Sequence, residues 1–143
     1  MKVMRATELW QQTGAFYVRI QAMGRKYHIP LHNEFDVHDT PVTKYIVILD
    51  DDFPVATCRF FPVAQDIMEI GRVVVLEEYR ERGLGQLLIT EAERWIKELG
   101  CRRIFLESRD EAVGFYKKLG YKETEQKSQC ADIFICIHME KEL

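Results

Sequence analysis

Apolar residues recur along the chain with two spacings, one typical of helices and one typical of strands. The clearest helical pattern covers residues 84–99, and Gly100 follows it as a helix stop. Thr7 is a suitable N-cap for a second helix, which is predicted to extend to about residue 27. Asp110 is expected to cap a short helix that ends near Leu119. The apolar stripe of the first helix consists of Leu84, Leu88, Ala92, Trp95 and Leu99.

Other segments are predicted to be strands because apolar, β-branched and aromatic residues are frequent in them and turn residues bound them. They are residues 3–5, 45–49, 55–61, 67–75, 103–107 and 133–139. Strict alternation through 67–75 would place Glu69, Gly71, Val73 and Val75 on one face. Residues 28–41, which contain Pro, Asn and Asp, are predicted to form a loop. Strands on both sides of the helices indicate a mixed α/β sheet.

Length and composition narrow the classes of protein to consider. The 143 residues suit one globular domain, and no repeat or linker divides them. A net charge of −3 gives no support for nucleic-acid binding, which normally needs a basic protein. No segment approaches the roughly 20 apolar residues that span a bilayer, and the N-terminus lacks the apolar core of a signal peptide. We therefore predict one cytoplasmic domain over residues 1–143, with no nucleic-acid or membrane partner.

The cysteines and histidines do not suggest a metal site, and no metal is expected. The cysteines form no CxxC pair and are predicted to be free thiols. His28, His32 and His38 share the predicted loop, but their spacing indicates no metal geometry. His138, in the last predicted strand, could either reach a functional site or be packed in the fold. The cysteines are Cys58, Cys101, Cys130 and Cys136.

The most informative segment is 73–88, where an apolar strand leads through a basic turn into the strongest helix. A helix N-terminus presents unpaired N–H groups and a partial positive charge, so it binds phosphate oxygens well. Gly83 and Gly85 would let the backbone approach a ligand, and Arg80 and Arg82 add positive charge. Two glycines alone would fit a plain strand-to-helix turn equally well. A P-loop or dinucleotide site is disfavoured, because the Lys-Ser/Thr pair of the one and the third Gly of the other are missing.

Taken whole, the segment Arg80-Glu81-Arg82-Gly83-Leu84-Gly85 resembles the coenzyme A signature of the GNAT superfamily of N-acetyltransferases, R/Q-x-x-G-x-G/A. Residues 112–121, Ala-Val-Gly-Phe-Tyr-Lys-Lys-Leu-Gly-Tyr, resemble the family's second motif, a helix that carries a tyrosine and ends in Gly-Phe or Gly-Tyr. The two motifs occur in the family's order. Residues 29–39 also resemble the small bacterial ElaA/YjcF-like branch, which carries an acidic segment at this point.

The resemblance implies a GNAT fold that binds acetyl-CoA as a co-substrate, together with an amine acceptor. Its sheet would be twisted, mixed and mostly antiparallel, with six or seven strands, about four helices and a splayed strand pair forming the acyl-CoA cleft. The backbone of Val73, Val74 and Val75 would pair with the pantetheine arm, although ordinary core valines would look the same. The backbone of residues 80–85 would hold the pyrophosphate. Where the family often has Asn, this chain has Ser108-Arg109, either of which could bind the coenzyme.

The resemblance also implies catalytic roles in a direct attack of the amine within a ternary complex. Tyr116 matches the general acid that protonates the departing sulfur, although a tyrosine beside Phe115 could serve packing alone. Glu69 has the spacing of the general base in the histone-acetylating branch. Alternatively, Glu69 pairs with Arg59 or Arg72 and the amine loses its proton through water.

Two questions stay open at the level of sequence. Glu34, Asp36 and Asp39 would favour a cationic amine if they line the acceptor cleft, but they could equally be solvated loop carboxylates. The chain could also be a non-catalytic acyl-CoA sensor or partner module of the same fold. A homodimer is compatible with the resemblance, although no residue pattern marks an interface.

Overall fold

The computed structural model describes residues 1–130 and 134–143, and their strands form one mixed sheet. The strand order is β1-β2-β3-β4-β5-β7-β6, and every neighbouring pair is antiparallel except β4 and β5. The predicted mixed, mostly antiparallel sheet of six or seven strands is therefore confirmed. The strands are β1 (Lys2–Arg5), β2 (Lys44–Asp50), β3 (Phe53–Ala64), β4 (Ile67–Val75), β5 (Arg103–Arg109), β6 (Lys122–Cys130) and β7 (Phe134–Glu142).

Within residues 1–130 and 134–143, four α-helices accompany the sheet, in agreement with the expected number. They are α1 (Leu9–Arg19), α2 (Leu31–Glu34), α3 (Leu84–Glu98) and α4 (Val113–Lys118). A π-helical segment, Ile20–Arg25, continues α1, and 3₁₀ turns cover Glu77–Tyr79 and Asp110–Ala112. The predicted N-cap of α1, Thr7, is wrong by one residue. Glu8 is the N-cap, and the Gln11 side chain accepts hydrogen bonds from the N–H groups of both Glu8 (2.9 Å) and Thr7 (2.8 Å).

The main core lies between the sheet and α3. Leu84, Leu88 and Ala92 are buried as the apolar stripe predicted, whereas Leu99 is 49% exposed. Ile89 and Ile96 also belong to this core, which shows that the buried stripe is wider than the one predicted. A smaller cluster on the other face packs α1 against β2 and comprises Ala6, Ala15, Tyr45, Val47 and Leu49.

A β-bulge interrupts β4 at Arg72. Gly71 pairs with Arg59, but Thr57 pairs with Val74, so β4 holds one more residue than β3 in this interval. Arg72 adopts a positive φ of 50°. The alternation therefore shifts by one, and Val74, not Val75, shares a face with Glu69 and Gly71. The prediction that Val75 lies on that face is wrong, because periodicity alone does not reveal a bulge.

Strands β4 and β5 separate after three rungs. Ile67, Met68 and Glu69 pair with Arg103, Ile104 and Phe105, and the pairing stops there. Beyond Glu69, β4 remains paired with β3, while β5 remains paired with β7 along its whole length. The two strands therefore diverge and leave a cavity of about 180 Å³ between them. This splayed pair is the cleft that the resemblance implied.

The cysteines differ from the expectation of four free thiols. Cys58 and Cys101 are free and buried, but Cys136 is disulfide-bonded, and the side chain of Cys130 lies outside the described part. Burial raises the pKa of the Cys58 thiol well above its ordinary value. Across residues 1–130 and 134–143, none of the helices has the length and apolar character needed to cross a membrane.

Candidate active site

The cleft between β4 and β5 brings together several of the predicted site residues, whereas Val75 and residues 80–85 do not line its cavity. Glu69 occupies the last paired rung, at the point where the two strands begin to separate. The wall of the cavity includes Val73 and Val74 from β4, Ser108 and Arg109 from β5, and Tyr116 from α4. Sequence positions as distant as 73 and 116 therefore meet in one pocket.

The loop of residues 80–85 connects a 3₁₀ turn to the start of α3. Gly83 is the N-cap of α3 and has a φ of 78°, a conformation that glycine adopts without strain. Glu81 also has a positive φ, 63°. The loop is exposed up to Gly83, and the first N–H groups of α3 have no partner within the helix. These donors can bind an anion.

The two arginines of this loop contact nearby carbonyl groups. The Arg80 N–H donates to the Glu77 carbonyl at 3.2 Å, so it is already engaged, and Arg80 Nε donates to the Val75 carbonyl at 3.3 Å. Arg82 Nη2 donates to the Glu78 carbonyl at 3.1 Å. Both arginine side chains are exposed and remain near the free end of α3.

Gly85 lies close to a neighbouring aromatic ring. A Cβ at this position would lie 3.1 Å from Cζ of Phe115, which is closer than ordinary packing allows. Phe115 belongs to α4, so this contact fixes the start of α3 against the helix that carries Tyr116. The close approach that sequence assigned to a ligand is made in part by this protein ring.

Ser108 and Arg109 line the cleft but also make internal contacts. Ser108 is buried, and its hydroxyl donates to the Arg109 carbonyl at 2.7 Å. The Arg109 guanidinium lies 4.5 Å from the centre of the Phe134 ring and donates to the Tyr27 hydroxyl at 3.3 Å. The hydrogen bond from Arg109 lowers the pKa of Tyr27. Arg109 thus connects β5 with the segment that follows α1, across the cleft.

Tyr116 is 7% exposed and has aromatic neighbours on α4 and beyond it. Its ring makes edge contacts with Phe115 at 4.9 Å and Tyr121 at 5.8 Å between centroids. Burial raises the pKa of Tyr116 well above its ordinary value. The hydroxyl is therefore protonated at neutral pH, which is the state that donates a hydrogen bond.

Glu69 has the chemical character of a base poised near neutrality. Burial raises its pKa to about 7, and the nearby Glu107 carboxylate contributes to the rise. The sequence offered Arg59 and Arg72 as ion-pair partners for Glu69, but both arginines pair with other carboxylates. Arg59 binds Asp36 and Asp39, while Arg72 binds Glu34 and Asp36.

A network of three arginines and three carboxylates fills the space beside the cleft. Arg19, 1% exposed, binds Glu34 at 3.0 Å and Asp39 at 2.7 Å. Arg59 and Arg72 complete the network through the contacts above. Burial alone would raise the pKa of Asp39, but the hydrogen bonds from Arg19 outweigh it and hold that pKa well below its ordinary value. All three carboxylates are therefore paired with arginines, and Glu34 also lines the cavity of the cleft, whereas the Asp36 side chain is 28% exposed. The interpretation as solvated loop carboxylates is wrong for Glu34 and Asp39, and a role toward a cationic amine stays a prediction.

One pair of aromatic rings lies on each side of Glu69, and the phenylalanine of each pair was not predicted from the sequence as part of the site. Glu69 is directly opposite Phe61 on β3 and Phe105 on β5. The His38 ring stacks on Phe61, with centroids 4.4 Å apart, and the His138 ring packs on Phe105 at 4.6 Å. The signal that could have identified these rings is their position opposite Glu69, which becomes visible only once the strand register is known.

The residues that the structure describes contain no group of three or more His, Cys, Asp or Glu placed to hold a metal ion. His28 and His32 are exposed, while His38 packs on Phe61. His138 Nδ1 lies 2.8 Å from the Thr124 hydroxyl.

Comparisons with known proteins agree with this geometry. The family model described as "Acetyltransferase (GNAT) family" matches residues 6–121. An uncharacterized N-acetyltransferase of Bacillus subtilis, YjcF, is 28% identical over 127 residues, which cover 89% of this chain and 89% of that protein. A crystallised candidate N-acetyltransferase from Lactobacillus plantarum is 30% identical, with a TM-score of 0.91 over 99% of this chain and 97% of the other.

A more distant structure has the same fold with a ligand bound. An aminoglycoside 6′-N-acetyltransferase, crystallised with coenzyme A, has a TM-score of 0.80 at 15% identity, over 99% of this chain and 97% of the other. At that identity the likeness concerns the fold alone. The similarity to YjcF supports the branch that residues 29–39 suggested.

Proposed function

Because this chain belongs to the acetyltransferase (GNAT) family, we propose that it transfers the acetyl group of acetyl-CoA to a primary amine. The observation that carries the proposal is that three features lie along or beside the splayed pair of strands β4 and β5. Glu69 lies where the strands separate, Tyr116 lines the wall, and the loop before α3 follows the end of β4. A base, a hydrogen-bond donor and an anion site are the parts that acyl transfer from a coenzyme thioester needs.

The coenzyme would occupy the opened part of the cleft. The backbone of Val73 and Val74 lines the cavity opposite Ser108, at a length of β4 that has no partner in β5. An extended pantetheine arm can pair with this unpartnered edge as a further strand would. Its pyrophosphate would then reach the N–H groups at the start of α3, with Arg80 and Arg82 beside them.

The proposed reaction is a direct attack in the ternary complex. The neutral amine nitrogen bonds to the thioester carbonyl carbon, and the proton that it releases passes to Glu69, directly or through one water. When the tetrahedral intermediate collapses, the carbon–sulfur bond breaks and the electron pair leaves with sulfur as the CoA thiolate. Tyr116 donates its hydroxyl proton, or a hydrogen bond, to that sulfur. The products are the N-acetyl amine and CoA.

A non-catalytic acyl-CoA-binding module of the same fold is the alternative. Such a module needs the cleft and the anion site but has no use for a base poised near pH 7. The raised pKa of Glu69 at the apex of the cleft therefore favours catalysis, because shifts of this kind concentrate at reacting sites.

Two measurements, made one after the other, test the proposal. Calorimetric titration with acetyl-CoA asks whether the coenzyme binds, and a thiol-release assay over a panel of primary amines asks whether acetyl transfer follows. Binding with amine-dependent thiol release supports the enzyme. Binding without release by any amine supports the sensor, and an absence of binding contradicts the assignment of the cleft.

A further inference from the structure

Glu69 is set between aromatic side chains on both neighbouring strands. Phe61 on β3 and Phe105 on β5 lie directly opposite it, so the three side chains project from the same face of the sheet. Phe61 and its stacked His38 form one wall, and Phe105 with His138 forms the other. The carboxylate therefore lies in a short trough with aromatic sides.

The two walls differ in what they can bind. The Arg59 guanidinium lies 5.3 Å from the centre of the Phe61 ring, so a protein cation already occupies this side. Phe61 is also 5% exposed, whereas Phe105 is only partly buried. Phe105 is thus the ring that can meet a ligand, and Phe61 is an apolar wall.

The charges around the trough favour a cation over an anion. Arg19, Arg59 and Arg72 are each paired with carboxylates of the network described above. The three positive charges of this network are therefore balanced by its three negative charges. Glu69 stands outside the ion pairs of that network and adds a negative charge beside Phe105. An aromatic face beside a carboxylate is a combination that binds ammonium groups.

We propose that Glu69 and Phe105 form the acceptor subsite, and that this subsite recognises the acceptor as an alkylammonium ion. The carboxylate takes the positive charge, and the phenyl ring packs on the ammonium group and its first methylenes. The bound ion loses one proton to solvent before the attack, and the resulting neutral amine is the nucleophile of the reaction proposed above, in which Glu69 accepts the second proton. This inference rests on the proposed function, but it predicts a binding preference that is measurable without turnover.

The test uses protein saturated with CoA, which has no acyl group to transfer. NMR titration with butylamine and with butanol compares a cation with a neutral molecule of the same carbon skeleton. We expect butylamine to bind at least about tenfold more tightly. Phe105→Leu keeps an apolar side chain but removes the ring, and it should reduce this preference roughly two- to thirty-fold. Phe105→Trp should keep the preference, because it restores an aromatic face.

Phe53→Leu is the matched control, because Phe53 is half exposed and begins β3 at the end opposite Phe61. This variant should leave the amine preference unchanged. Equal affinities for amine and alcohol in the wild type, or an unchanged preference in Phe105→Leu with folding intact, would overturn the subsite while the cleft assignment stands. Failure of CoA to bind would instead contradict the proposed function, so the two failures are distinguishable.

Discussion

At the scale of single residues, Glu69 sets the expected pH dependence of the reaction. Its pKa is raised to about 7, first by burial and then by Glu107, while Arg59 and Arg72 oppose the rise. A base must be deprotonated to act, so kcat/KM should increase as pH rises through about 7. Glu69→Gln should abolish this increase of kcat/KM with pH and lower the rate by roughly 10²–10⁴-fold.

The measurement for Glu69 is a pH–rate profile of thiol release for the wild type and the variant. Calorimetric titration with acetyl-CoA serves as the control, since the amide is nearly isosteric and the proposed coenzyme site lies beyond Glu69. If Glu69→Gln kept both the wild-type rate of thiol release and its increase with pH near 7, another group or a water would be the base.

Tyr116 is tested by removing only its hydroxyl. Tyr116→Phe keeps the ring contacts with Phe115 and Tyr121, so folding and coenzyme affinity should remain as in the wild type. Turnover should fall by about 100-fold, because the departing thiolate loses its hydrogen-bond donor. Steady-state kinetics and calorimetry measure the two quantities. A turnover equal to that of the wild type would leave Tyr116 with a packing role only.

At the scale of elements, we predict that two glycine substitutions at the start of α3 weaken the binding of the coenzyme. Gly83→Val puts a β-branched residue at a φ of 78°, at a cost of roughly 1–2 kcal/mol, and turns the free N–H groups away from the ligand. Gly85→Val drives a side chain into Phe115. Each change should raise the calorimetric Kd for acetyl-CoA by at least about tenfold, which corresponds to 1.4 kcal/mol.

Gly114→Ala is the control for these two substitutions. Gly114 lies in α4, no heavy atom is within 4 Å of an added Cβ, and alanine favours the helix. Its coenzyme affinity should match the wild type. A folded Gly83→Val protein with wild-type affinity would mean that the coenzyme's phosphates bind elsewhere.

Elements with strong apolar patterns could be predicted from sequence, and the others could not. Helix α3 and strand β4 lie where the pattern indicated, because burial on one face imposes a period on the residues. Strand β6 was not predicted, since Lys122–Cys130 is polar throughout and forms an outer strand with one neighbour. The bulge at Arg72 was missed as well, because it follows from pairing with β3 and leaves no mark on the apolar period.

The candidate site, too, could be predicted from the sequence only in part. The glycine loop and Tyr116 belong to contiguous motifs, so the sequence could assign both to one predicted coenzyme site, and the structure places Tyr116 in the wall of the cleft. The partners of Glu34, Asp36 and Asp39 could not be predicted, because Arg19, Arg59 and Arg72 come from three separate elements. Phe61 and Phe105 likewise become neighbours of Glu69 only through the strand register.

At the scale of the whole molecule, the arginine–carboxylate network joins α1, the segment after α2, and strands β3 and β4. Arg19 is 1% exposed and Glu34 is 2% exposed, so removing Arg19 leaves three carboxylates with two arginines, Arg59 and Arg72, and one buried negative charge is no longer balanced. Arg19→Met should therefore lower the free energy of unfolding by roughly 3 kcal/mol. For a chain of this size, that corresponds to a Tm lower by about 6–12 °C.

Arg25→Met is the matched control, because Arg25 is exposed and, among the described residues, its side chain donates to Gln21 alone. Its free energy of unfolding should stay within about 0.5 kcal/mol of the wild type, as for ordinary surface substitutions, so its Tm should shift by no more than about 1–2 °C. Scanning calorimetry of both variants at neutral pH separates the network from a general loss of positive charge. Equal Tm values for Arg19→Met and Arg25→Met would show that the network contributes little.

The same network should make the protein sensitive to acid. The bonds from Arg19 and Arg59 hold the pKa values of Asp39 and Asp36 below their ordinary value of 3.8, against the effect of burial. Carboxyl groups with depressed pKa values stabilise the fold above the unfolded pKa, and this contribution is lost as pH falls below about 4. In Arg19→Met part of the contribution is already missing, so its Tm should fall less steeply than that of the wild type between pH 5 and pH 2. Parallel Tm curves would contradict this origin of the stability, since removing Arg19 would then have left the proton affinity of Asp39 unchanged.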